Sequence, residues 1–140
     1  MRTALCHCGK LRLTATGEPE WVNLCYCQAC QRRTGAPLHA GTYFAADRVE
    51  IDGDSKSFAR PADSGYTMTF RFCPHCGSNL YWLASRFPRH IGVAVGGFAD
   101  PEFPAPSFSV FEKWKHPWLG NSETMDQFPE GRTGPPLGHT

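Results

Sequence analysis

The chain has 140 residues, a formal net charge of +1, and 41% hydrophobic and 13% aromatic residues. That length suits one domain with a buried core, and the aromatic content excludes a disordered chain. A balance of 14 basic against 13 acidic residues argues against nucleic-acid binding, which calls for a strongly basic face.

The opening "MRTALCHCGK" has no apolar run long enough for a signal-peptide core. Nowhere do about 18 apolar residues run together, so no membrane span is expected and a cytoplasmic location is the default. "KLRLTATG" sets Leu11, Leu13 and Ala15 against polar neighbours, the period-two pattern of a half-buried strand. After Cys27, "QACQRRTG" is the best helical stretch, one or two turns closed by Gly35 as C-cap. "GTYFAADRVEI" carries β-branched and aromatic residues around a turn at "AADR". "YTMTFRF" places Tyr66, Met68, Phe70 and Phe72 on one strand face, and "NLYWLAS", "HIGVAVGGF" and "FSVFEKW" complete the strands. The expected fold is therefore mainly β, built of small packed sheets over residues 1–120. From about Asn121 the chain turns Gly- and Pro-rich with little to bury, and 121–140 reads as a C-terminal tail.

Seven cysteines in a cytoplasmic chain point to metal ligands or reactive thiols, and an odd number does not suit a disulfide framework. They form three groups: "CHCG" (Cys6, Cys8), "CYCQAC" (Cys25, Cys27, Cys30) and "CPHCG" (Cys73, Cys76). The last is a metal knuckle, in which Gly77 supplies the positive φ of the sharp turn. Two thiolates alone do not hold zinc tightly. Pairing Cys73 and Cys76 with Cys6 and Cys8 gives a closed four-cysteine site, whereas pairing them with two of the other three strands Cys6 and Cys8. The four-plus-three division leaves Cys25, Cys27 and Cys30 as a tripod with one open position, which a catalytic zinc keeps and a structural zinc lacks. Two other readings of the tripod stay open. One is a structural zinc closed by a distant histidine among His7, His39, His75, His90, His116 and His139. The other is a redox pair of Cys25 and Cys30, with Arg32 and Arg33 lowering the thiol pKa values.

"CHCGKLRL", "LCYCQACQRRTGAP", "FRFCPHCGSNLYW" and "HIGVAVGGFADPEFP" follow in order the pattern of a known family. From Cys6 to about Trp118 the chain resembles the glutathione-dependent formaldehyde-activating enzymes, a family that includes the centromere protein V domain. The resemblance implies an Mss4-like fold of small antiparallel sheets around cysteine knuckles. It implies two Zn2+ ions per chain, structural at Cys6, Cys8, Cys73 and Cys76 and catalytic-type at Cys25, Cys27 and Cys30. It further implies carbon–sulfur lyase chemistry, the making or breaking of a thiol–aldehyde adduct, as in S-(hydroxymethyl)glutathione from glutathione and formaldehyde.

Zinc binds a thiol as thiolate, so a substrate sulfur at the open position can attack an aldehyde carbon; polarisation of the aldehyde oxygen is the alternative. Three protein thiolates weaken the Lewis acidity of the ion, which favours delivery of the thiolate. Arg32, Arg33, Arg71, Lys113 and Lys115 are candidate partners for substrate carboxylates, and Phe44, Tyr81, Trp82 and Trp114 are candidate pocket walls. No proton donor stands out. The competing reading is a zinc-stabilised module that binds protein or nucleic acid without catalysis. Its nucleic-acid form is disfavoured because "QRR" is only two adjacent arginines.

Overall fold

The structure is a computed structural model and describes residues 1–62, 65–120 and 125–133. Among these, the strands are β1 (Arg2–Leu5), β2 (Arg12–Ala15), β3 (Trp21–Cys25), β4 (His39–Ala45), β5 (Val49–Asp52), β6 (Lys56–Pro61), β7 (Thr67–Phe72), β8 (Asn79–Ala84), β9 (His90–Ala94), β10 (Phe108–Val110) and β11 (Asp126–Gln127). One helix, α1 (Gln28–Thr34), joins β3 to β4. A three-stranded sheet has the order β1-β2-β5, and an eight-stranded sheet runs β11-β10-β3-β4-β9-β8-β7-β6. The mainly β expectation holds, with one sheet larger than the small sheets expected. Pairing is antiparallel except at one edge, where β10 runs parallel to both β3 and β11.

Alternation along the central strands divides the molecule into two cores. Phe44, Tyr81 and Val93 turn to one side, where they bury with Ala4, Leu11, Leu13 and Ala15 of the small sheet. Their neighbours Tyr43 and Trp82 turn to the other side and join Trp21, Phe70 and Phe108. The expected alternation at Leu11, Leu13 and Ala15 is thus the inner face of the small sheet. On β7, Phe70 is buried and Met68 and Phe72 are half-buried, while Tyr66 precedes the strand and is exposed.

Gly92 of β9 lies between Tyr43 and Trp82 in register. A Cβ there would stand 2.1 Å from Trp82 Nε1. Only glycine lets the indole lie across β9 and donate to Tyr43 Oη at 2.8 Å.

"FSVFEKW" is a strand only over Phe108–Val110, because Phe111 turns left-handed at φ 57° and a short 3-10 turn follows. Of the stretch expected as a tail, Met125 is buried, β11 pairs with β10, and the Phe111 N–H donates to Glu130 O at 2.8 Å. Residues 121–124 and 134–140 of that stretch lie outside the described residues.

Candidate metal and thiol site

The loop between β1 and β2 carries Cys6 and Cys8, and the turn between β7 and β8 carries Cys73 and Cys76. Both turns close on glycines in the left-handed region, Gly9 at φ 81° and Gly77 at φ 78°. Backbone N–H groups point at the sulfurs: Leu11 donates to Cys6 Sγ at 3.2 Å and His75 to Cys73 Sγ at 3.4 Å. The two turns also bond to each other, His7 N–H donating to Ser78 Oγ at 3.0 Å. The Ser78 hydroxyl, with its backbone N–H behind it, holds the Cys76 thiol down to about 5. Cys8 Sγ is 3.6 Å from both Cys6 Sγ and Cys73 Sγ. A tetrahedron of Zn–S bonds has edges of about 3.8 Å, so this set fits a closed zinc site.

The three-cysteine set comes from one segment. β3 ends at Cys25, held between β4 and β10, and Tyr26 N–H donates to Val110 O at 3.1 Å. Cys27 then caps α1, its Sγ accepting from Cys30 N–H at 3.2 Å. Gln31 Nε2 ties the helix back to Tyr26 O at 2.8 Å and to Trp114 O at 3.2 Å. Gly35, at φ 72°, ends the helix as expected. The sulfurs of Cys25, Cys27 and Cys30 lie within 4.8 Å of one another, and among the described residues no histidine or carboxylate joins them. Hydrogen bonds from the Cys25 and then the Cys30 thiol hold Cys27 down to about 2, with Arg60 adding to the positive field. The same bond to Cys27 pushes Cys25 up. The set therefore stands ready with one thiolate at neutral pH, and loading a divalent soft ion releases the remaining protons.

These three sulfurs open on a cleft of about 550 Å³ on the Tyr43–Trp82 side of the large sheet. Trp21, Phe70, Trp82, Phe87 and Phe108 wall it, with His39 and Tyr43 at the back. Tyr43 Oη accepts the Trp82 hydrogen bond, and burial raises its pKa to about 12, so the phenol keeps its own hydrogen to donate. His39, opposite Cys25 in register, has Nε2 buried without a hydrogen-bond partner among the described residues, and desolvation lowers its pKa to about 3. Arg33, Arg60, Arg86 and Arg132 reach the cleft.

Of the sequence-based candidates, Arg33 and Trp82 line this cleft. Arg32 is exposed and does not line this cleft, and Arg71 alternates away from Phe70. Lys113 pairs with Glu130 at 2.7 Å and Lys115 with Glu112 at 3.7 Å. Phe44 and Tyr81 belong to the opposite core, and Trp114 is exposed. His7 and His75 face solvent, and His139 lies outside the described residues. Arg60, Arg86, His39 and Tyr43 were not selected as cleft residues from the sequence. His39 was one of six undifferentiated histidines, and the other three arrive from elements far from the cysteine motif.

Fold and cysteines together define a mainly β protein with two thiolate clusters, each able to hold a metal ion. The family model described as glutathione-dependent formaldehyde-activating enzyme matches residues 1–114, and the chain belongs to that family. No curated protein matches it. A crystal structure of a Rhodobacter sphaeroides protein, a Northeast Structural Genomics target, shares 20% identity with a TM-score of 0.53. The match covers 71% of this chain and 91% of that one, and shows likeness of fold. Among the described residues no helix is long and apolar enough to cross a membrane.

Proposed function

We propose that the chain is a zinc-dependent enzyme of the carbon–sulfur lyase type that joins a small thiol to an aldehyde or reverses that step. Glutathione and formaldehyde are the pair to which the family description points. The observation that carries the reading is the position of the Cys25, Cys27 and Cys30 sulfurs, clustered without a fourth ligand among the described residues and lining an aromatic-walled cleft. A closed structural site has no use for such an opening. Zinc held by these cysteines would keep an incoming thiol ionised near neutral pH.

The substrate sulfur forms the C–S bond, the carbonyl π pair moves to oxygen, and the oxygen takes up the proton the thiol gave up. Nothing is oxidised or reduced. Cys25, Cys27 and Cys30 would hold the ion that takes the substrate sulfur, and the Trp21, Trp82 and Phe108 walls thin out water around it. Tyr43, whose hydroxyl is the acceptor for Trp82, directs its remaining hydrogen to the developing oxygen. A cytoplasmic location accompanies this reading, since seven unpaired thiols require reducing surroundings.

The test is adduct formation from formaldehyde with glutathione and with other small thiols, measured against the spontaneous reaction, in wild type and Cys27→Ala. Acceleration by wild type and its loss in the variant are expected. Failure to accelerate the reaction with any thiol would end the reading.

A further inference from the structure

We propose that Arg33 and Arg60, set over Phe70, form an anion subsite that selects thiols carrying a carboxylate. The inference rests on the thiol–aldehyde reading of the cleft and goes beyond it by naming the residues that choose the thiol.

Arg33 lies one helical step from the cysteine tripod: it is three residues after Cys30 on α1, so both project from one side of the helix. Its guanidinium lies over the Phe70 ring, Cζ 4.1 Å from the centroid, and 5.9 Å from the centroid of Trp82. Arg60 approaches the same Phe70 ring from β6, Cζ at 5.7 Å. Two cations thus share one aromatic platform from elements that are distant in sequence.

Neither forms an ion pair with a carboxylate among the described residues. The ion pairs among the described residues use Arg2, His90, Lys113 and Lys115. Arg33 Nε is buried without a hydrogen-bond partner among the described residues. Among the described residues Arg60 Nη1 donates to Pro61 O at 3.2 Å. Leaving a buried guanidinium N–H unpaired costs stability unless something else accepts from it.

The tripod does not supply that acceptor in full. Three thiolates around a divalent ion carry one net negative charge, less than the two positive charges of Arg33 and Arg60 in the same cleft. A guanidinium held over a ring keeps its N–H edge for hydrogen bonds, and that edge suits the planar fork of a carboxylate.

The position of the pair also fits a selector. Beyond it lies a second, more open groove of about 600 Å³, lined by Arg32, Phe58 and Phe72 among others. Ala29, Arg33, Arg60 and Phe70 line both spaces, so any substrate that runs from the tripod to the outer groove crosses the two arginines.

The experiment is calorimetric binding of 3-mercaptopropionate and of its neutral counterpart 3-mercaptopropan-1-ol to the metal-loaded protein, with no aldehyde present. Wild type is expected to bind the acid about tenfold or more tightly than the alcohol, the scale of a hydrogen-bonded charge pair. Arg33→Ala and Arg60→Ala should each bring the ratio below about threefold, and 0.5 M salt should compress it in wild type. Arg60 lies on an edge strand, so its variant keeps the test available if Arg33→Ala folds poorly. A wild-type ratio near one, binding of neither thiol, or an Arg60→Ala ratio equal to wild type would overturn the subsite. Turnover of formaldehyde is scored separately. A charge preference without catalysis leaves the subsite standing and removes the proposed reaction, while catalysis without preference does the reverse.

Discussion

Removing one sulfur from each cysteine set should have different consequences, because one set is long-range and the other local. Cys8 and Cys73 are 65 residues apart, whereas Cys27 and Cys30 are three apart. Closing a loop about 20-fold longer costs the unfolded chain about 3 kcal/mol more, by the (3/2)RT ln n dependence of loop entropy. A metal that bridges Cys6, Cys8, Cys73 and Cys76 removes that cost in the folded state. One at Cys25, Cys27 and Cys30 does so hardly at all. Cys8 is exposed, so Cys8→Ala loses almost no packing and weakens the metal tether with little else changed. Cys27→Ala removes the α1 cap as well, at about 1 kcal/mol. Urea unfolding of the loaded proteins, followed by tryptophan fluorescence, should therefore find Cys8→Ala less stable than Cys27→Ala by about 2 kcal/mol or more. Metal analysis should find two zinc ions in wild type and one in Cys27→Ala, which keeps only two sulfurs of its set, while Cys8→Ala, left with Cys6, Cys73 and Cys76, should hold its ion more weakly than wild type. Equal destabilisation by the two substitutions would refute the division into a tethering and an open set. So would loss of both ions from Cys27→Ala.

Two further outcomes follow from the cleft walls. Gly92→Ala drives a methyl to 2.1 Å from the Trp82 indole and should break its hydrogen bond to Tyr43, costing about 3 kcal/mol as overpacking plus one buried bond. The same substitution in a Trp82→Leu background should cost at least 1 kcal/mol less, and an equal cost in both would show that the ring is not what Gly92 accommodates. His39 has a folded pKa of about 3 against 6.5 when free, so the unfolded chain takes up the proton first. Stability then falls as pH drops from about 6.5 toward 3 and is unaffected above that window. Between pH 7 and 5.5 wild type should lose about 1 kcal/mol relative to His39→Gln, and parallel pH profiles for the two would contradict that burial.

The cysteine division was legible in the sequence because chelation is a local matter: tight turns with Gly9 and Gly77 place sulfur pairs whatever the rest of the chain does. The small-sheet face at Leu11, Leu13 and Ala15 was legible because one side is solvated and the pattern alternates. β3 was not, since Trp21 and Val22 are adjacent and both buried, which erases the alternation. β6 was hidden for the opposite reason: it is an edge strand with exposed residues at nearly every position. Arg60 went unnoticed with it. Arg32 and Arg33 are indistinguishable as a dipeptide, although the three-residue spacing from Cys30 to Arg33 carried the helical phase that separates them.

Alternation along β4 and β8 also explains how a protein of this size keeps a reactive site without weakening its core. Phe44 and Tyr81 spend their side chains on the contact with the small sheet, which the four-cysteine set closes off. Tyr43 and Trp82, one residue away in each case, face the cleft, and their hydrogen bond spans the bare backbone of Gly92. Substitutions on the cleft side that respect this glycine floor change what the tripod admits, whereas those on the other side change whether the sheets stay together. Arg33 and Arg60 line the first surface and stand over Phe70, which belongs to its core. Recognition of the thiol can therefore vary at these two side chains while the sulfur-holding segment and the fold beneath it remain as they are.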